Sequence, residues 1–195
     1  ALSQRSLYQS MRNLTVGVFQ IMATRIRTLP ETLYVEARNF LDRRADIMNR
    51  FSALKERRIA TKIIRCHGDY HLGQVLHTGK DFIIIDFEGE PSRTLGERRA
   101  KRCPLTDVAS MIRSFSYAAH SALSSHAALR KEDVPVLEPW IEIWHKYVTA
   151  LFLESYIDTT AGAPFLPKSG GDLKILLEAF LLEKAIYELG YELNN

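Results

Sequence analysis

Cysteine is scarce: Cys66 and Cys103 are the only two in 195 residues. A chain this long needs no bridge, so a disulfide scaffold is excluded and free thiols in a reducing, cytoplasmic setting are expected. No run of 18 apolar residues occurs, so no membrane-spanning helix is expected. Neither internal repeats nor low-complexity tracts are present. Neither sign of charge dominates: 26 basic against 23 acidic residues leave +3, too little to argue for nucleic acid or an anionic membrane as partner. The G-x-x-x-x-G-K-[ST] pattern is missing, which excludes a P-loop as far as motif goes. The opening Ala1-Leu2-Ser3-Gln4-Arg5 has neither an initiator Met nor a signal-peptide pattern, so a piece of a longer chain is expected.

What is present is ordinary globular material. Apolar residues make up 46% and charged residues 25%, enough for a real core. Leu7, Met11, Leu14, Val18, Ile21 and Met22 recur at helical steps and predict a helix from Leu2 to Ile26. After Pro30 a second helix is expected from Glu31 to Arg58. The β-branched run 62–66 reads as a strand. Val75-Leu76-His77, the turn Thr78-Gly79-Lys80 and Phe82–Ile85 read as a hairpin. Residues 88–103 have no period and read as a loop. Helices are then expected over Leu105–Leu129, Pro139–Thr159 and, N-capped by Asp172, up to Leu193. Trp140 and Trp144 are four residues apart and read as core. The fold class is mainly α (α+β). A single body over 1–195 is expected, with a helical pair in 1–60, a loop-and-hairpin region in 61–103 and helices in 104–195.

Three pieces carry chemistry: His67-Gly68-Asp69-Tyr70-His71-Leu72-Gly73-Gln74, then Asp86-Phe87-Glu88, then Pro104-Leu105-Thr106-Asp107. A hairpin brings its two ends together, so Asp69, Gln74 and Asp86 should converge at one edge. Two carboxylates and an amide make a hard oxygen site, which suits Mg²⁺ with phosphate oxygens completing the shell. The spacing is that of phosphoryl transfer: a catalytic Asp, a metal-binding amide five residues on, and an Asp-Phe pair. Gln in place of Asn, and Glu88 in place of the Gly of D-F-G, point away from protein kinases and towards small-molecule kinases. H-x-D-x-H over 67–71 could alternatively be zinc ligands, but no further ligand stands out. Arginines over 38–65 interleave with Asp42, Asp46 and Glu56 and read as a solvated face. Arg93, Arg98, Arg99, Lys101 and Arg102 lie where an activation loop would. They could neutralise phosphates or dock a neighbouring lobe.

The strings 67–76 and Ile85-Asp86-Phe87-Glu88-Gly89-Glu90-Pro91 resemble the bacterial maltokinases, of the aminoglycoside phosphotransferase-like superfamily. Ser6–Arg12, Glu97-Arg98-Arg99 with Pro104–Ala109, and Leu182–Glu188 also look like that family, most of all its members fused behind a trehalose synthase. The resemblance implies the helical C-terminal lobe of a kinase-like fold. It also implies ATP- and Mg²⁺-dependent phosphorylation of maltose at its anomeric hydroxyl. Under it, Asp69 would be the catalytic base, Gln74 and Asp86 would bind Mg²⁺, and His67 and Asp107 would support the catalytic loop. His71, Glu88, Lys184, Tyr187, Tyr191 and Glu192 would be candidates for touching the sugar. Lys184, Tyr187 and Tyr191 share a helix face, although Lys184 four residues before Glu188 could equally be a solvated ion pair. The smaller lobe of a kinase, with its strand Lys and phosphate-covering loop, is not visible, so the fragment alone is expected to be inactive. A different acceptor (an aminoglycoside, a choline-like amine, another sugar) and a non-catalytic docking domain are the alternatives.

Overall fold

The structure is a computed structural model, and it describes residues 3–125 and 130–194. Leu2 and Leu129, where two of the expected helices begin and end, lie outside the described residues. In chain order the elements are α1 (Gln4–Arg25), α2 (Glu31–Asp42), α3 (Arg44–Glu56), β1 (Val75–His77), β2 (Phe82–Ile84), α4 (Leu95–Arg99), α5 (Leu105–Ser125), α6 (Val134–Thr159) and α7 (Gly170–Asn194). They form two compact units, one of residues 1–63 with 167–195 and one of 64–166.

The first unit is helical. Met11, Thr15, Val18, Phe19 and Met22 make one buried face of α1. Phe51 and Leu54 of α3, and Leu176 and Phe180 of α7, are buried with them. Burying a side chain of this size contributes roughly 1.5–3 kcal/mol. A Cβ on Gly190 would stand 2.7 Å from Val18 Cγ2, so the bare backbone is what lets α7 sit on α1. The carbonyls left over at the end of α3 are satisfied from a distance. Gln4 Nε2 donates to Leu54 O at 2.7 Å and Arg57 O at 2.9 Å, and Gln4 Oε1 accepts from Ile59 N at 2.8 Å.

Two expectations in this unit are corrected. The helix expected over 31–58 is two helices broken at Arg43, whose ψ of 8° lies outside the helical range and whose N–H closes a tighter turn on Phe40 O. No Gly or Pro marks the break. Asp172 is not an N-cap: α7 begins earlier, at Gly170, and the Asp172 carboxylate meets Arg57 Nε at 2.7 Å.

The second unit holds the hairpin, with Val75 opposite Ile84, Leu76 opposite Ile83 and His77 opposite Phe82. Gly79 takes φ +87° in the turn, where a side chain would be strained. The strand expected over 62–66 is a single bridge, Ile64 to Arg102. The next pair one way would need an N–H from Pro104, which has none. The next pair the other way would need that of Ala100, which bonds Glu97 O instead. The expected loop 88–103 contains α4, started by a reciprocal cap: Thr94 Oγ1 accepts from Glu97 N, and Glu97 returns a carboxylate to Thr94 N. That bond and the Thr94 hydroxyl hold the Glu97 carboxyl below its usual range.

α6 starts at Val134, before the expected Pro139, which sits inside it and costs one helical bond. Trp140 and Trp144 are not core: they are 66% and 45% exposed. α6 carries two apolar faces. The one holding Phe152, which meets Phe115 of α5 edge-on at 5.5 Å, faces inward. The other, with Val136, Trp140, Ile143, Trp144, Tyr147 and Leu151, faces outward. Periodicity alone does not say which of two such faces is covered.

Candidate functional site

The site is built on the N-terminal half of α5. Asp107 Oδ2 accepts from His67 N at 2.7 Å and Oδ1 from Gly68 N at 3.0 Å. Two turns further along the same helix, Ser114 Oγ accepts from Leu72 N at 3.0 Å. Two side chains of one helix therefore hold both ends of the loop that carries Asp69. Ser114 was missed from sequence, and its seven-residue offset from Asp107 is the signal that could have found it. Burial pushes the Asp107 carboxyl up from its ordinary value despite the two amide bonds.

His67 is 6% exposed and tied across to the segment that carries Asp86. Its Nε2 donates to Ile85 O at 2.7 Å, which leaves Nδ1 to accept from Asp69 N at 3.4 Å. Its ring lies 4.8 Å from that of Phe87 and 5.6 Å from that of Tyr70. A mainly apolar cavity of about 390 Å³ borders Cys66, His67, Asp107 and Tyr156. Burial pushes the Cys66 thiol up to about 12 and the Tyr156 hydroxyl to about 12.

Gln74 ends a short 3-10 turn, and Asp86 follows β2. The hairpin brings the two together, with Gln74 Nε2 3.0 Å from Asp86 Oδ2. Asp86 takes φ +62°, the only non-glycine with positive φ among the described residues. Such strain costs about 1–3 kcal/mol and collects at functional sites. His71 Nδ1 accepts from Gly73 N at 3.1 Å, and its Nε2 stands 3.8 Å from Asp69 Oδ2. A Cβ on Gly73 would come within 2.9 Å of the His71 ring. Glu88 is exposed. Lys184, Tyr187, Tyr191 and Glu192 belong to the other unit, on α7, where Lys184 Nζ lies 5.0 Å over the Tyr187 ring and Tyr191 and Glu192 are exposed.

The donor set fits a magnesium ion. Half-buried Gln74 and exposed Asp86 offer hard oxygens, and Mg²⁺ is commonly held by one or two protein groups, the rest being water and phosphate. A cation would be met by the amide oxygen of Gln74 in place of the N–H that now faces Asp86. No group of three His, Cys, Asp or Glu gathers among the described residues, which leaves the H-x-D-x-H zinc reading without support. No helix among them is long and apolar enough to cross a membrane.

No protein-family model matches the chain. It is similar to the glucosamine kinase of Streptacidiphilus jiangxiensis, 28% identical over 117 residues that cover 60% of this chain and 24% of that protein. It is also similar to the glucosamine kinase of Mycolicibacterium smegmatis, 40% identical over 58 residues, 29% of this chain and 14% of that one. Among solved structures it superposes on a glucosamine kinase in complex with glucosamine, ADP and inorganic phosphate. That match has a TM-score of 0.71 and 20% identity, over 96% of this chain and 44% of the other. Crystal form B of a glucosamine kinase gives a TM-score of 0.70. These likenesses establish the fold: mainly α with one small hairpin, as expected, and shared with part of a sugar kinase. The chain spans less than half the length of these proteins.

Proposed function

We propose that this chain is the helical lobe of an ATP- and Mg²⁺-dependent kinase that phosphorylates a sugar hydroxyl. The observation that carries the reading is the meeting of Gln74 and Asp86 at 3.0 Å, at a strained left-handed Asp, next to a loop whose Asp69 is set by Asp107 and His67. Asp69 accepts the proton of the attacking hydroxyl. Gln74 and Asp86 hold Mg²⁺, which when bound neutralises charge on the transferred phosphoryl group. Asp107 and Ser114 keep the loop in place, and His67 ties it to the strand that delivers Asp86. His71 and Glu88 flank the acceptor. The nucleotide is covered by a second lobe outside this span, and the fragment alone is inactive. A trehalose synthase domain in the parent protein belongs to the same reading.

Two acceptors stand in front. Maltose, phosphorylated at its anomeric hydroxyl, follows from the resemblance of 67–76 and 85–91 to maltokinases. Glucosamine is favoured by the names of the relatives and by the ligand of the superposed structure. The test is ATP consumption by the full-length protein with maltose, glucosamine, glucose, trehalose and kanamycin. Asp69→Asn should lower kcat by roughly 10²–10⁴-fold with little change in acceptor KM. Turnover with none of the acceptors, in a folded protein, would overturn the reading.

A further inference from the structure

The loop that follows Asp86 is pressed onto the catalytic loop with no side chain between them. A Cβ on Gly68, which has φ +86°, would lie 3.3 Å from Gly89 Cα. Gly89 is buried, with φ +80°, and a Cβ there would lie 3.3 Å from Arg98 Cβ and 3.6 Å from Arg98 Cα and Cγ. Three layers therefore stack: the backbone of the catalytic loop, the backbone of the Asp86 loop, and the stem of Arg98. On the far side, Gly68 is held by Asp107. Arg98 closes the stack from α4. Its Nε donates to Arg93 O at 2.9 Å and its Nη2 to Pro91 O at 2.6 Å, so its guanidinium fastens the end of the same loop. A guanidinium spent on two carbonyls is not reaching for a phosphate, whereas its neighbour Arg99 is exposed.

We propose that Arg98 is a positioning residue: it clamps the 86–93 loop against Gly68 and thereby sets where Asp86 stands relative to Asp69. It touches no substrate. Its action on metal binding rests on the kinase reading, but the clamp itself does not. Lysine cannot replace it fully, because the clamp needs two donors in the fixed fork of a guanidinium.

The test compares wild type with Arg98→Ala, Arg98→Lys and, as a charge control at an exposed residue of the hairpin turn, Lys80→Ala in the full-length protein. Hydrogen exchange at residues 66–72 is measured, because Arg98 makes none of the hydrogen bonds there. The Mg²⁺ concentration giving half-maximal ATP turnover is measured beside it. Arg98→Ala should speed exchange at 66–72 as well as at 85–93. It should raise the Mg²⁺ requirement about tenfold, the low end for loss of a group that orients metal ligands, with acceptor KM unchanged. Arg98→Lys should fall between, and Lys80→Ala should match wild type. Unchanged exchange at 66–72 in both Arg98 variants would overturn the clamp, whatever the enzyme's acceptor. A fall in thermal stability with an unmoved Mg²⁺ requirement would reduce Arg98 to a structural role and overturn the positioning claim. Wild type that turns over no acceptor would fail the kinase reading while the exchange result still decided the clamp. If Arg98→Ala does not fold, Arg98→Lys carries both measurements.

Discussion

Asp107 should be the most costly single polar truncation in the unit of residues 64–166. Its two oxygens take the amides of His67 and Gly68 at 2.7 and 3.0 Å. Replacing it by Ala strands two amides beside a mainly apolar cavity. Each unsatisfied buried amide costs about 1–3 kcal/mol, and part of this is recovered by no longer burying a carboxylate, so the net loss is about 2–4 kcal/mol. For a chain of this length that is about 4–16 °C in Tm. Asp107→Asn keeps one acceptor but turns an NH₂ towards an N–H, so a loss of about 1–3 kcal/mol is expected. Urea unfolding followed by circular dichroism measures both. Burial holds the folded-state pKa of Asp107 above its ordinary 3.8. Its stabilising contribution is therefore complete below 3.8 and is lost as pH rises through the raised value, so the gap to Asp107→Asn should narrow over that interval. An Asp107→Asn protein within about 0.5 kcal/mol of wild type, the range of an ordinary surface change, would refute the reasoning.

Asp86→Gly should relieve a left-handed backbone and gain about 1 kcal/mol in denaturant unfolding while abolishing Mg²⁺-dependent turnover; a loss of stability would count against the strain. Gln4→Ala should cost about 1.5–3 kcal/mol in the same assay, because three hydrogen bonds at the end of α3 go with it. Gly190→Ala should cost about 1–3 kcal/mol by overpacking against Val18, and Val18→Ala in the same chain should recover part of it. With thiols raised to about 12 and about 11, Cys66 and Cys103 should label slowly with iodoacetamide at pH 8 until the protein is unfolded.

The parts legible in the sequence are those where a local rule coincides with the tertiary arrangement. The β-branched runs around Thr78-Gly79-Lys80 form the hairpin, and a hairpin brings its ends together whatever surrounds it, so Gln74 and Asp86 meet. The Thr94-x-x-Glu97 cap is a local helix-start signal, but the polar residues around it lack the apolar period that marks a longer helix. Other features depend on distant partners. Whether 62–66 becomes a strand is decided by Pro104 and Ala100, some forty residues away. The exposed side of α6 is as apolar as its inner side, so its orientation was not written in its own period. Arg98 could not be separated from its neighbouring arginines by composition, because its task is set by the carbonyls of Pro91 and Arg93.

The outward row on α6 has an optical consequence. The chain has two tryptophans, and both stand on that row. Their emission in the native protein should already be that of indole in water, so unfolding will shift it little. The same emission will move to the blue when anything apolar covers the row, which makes the pair a built-in reporter of association rather than of folding.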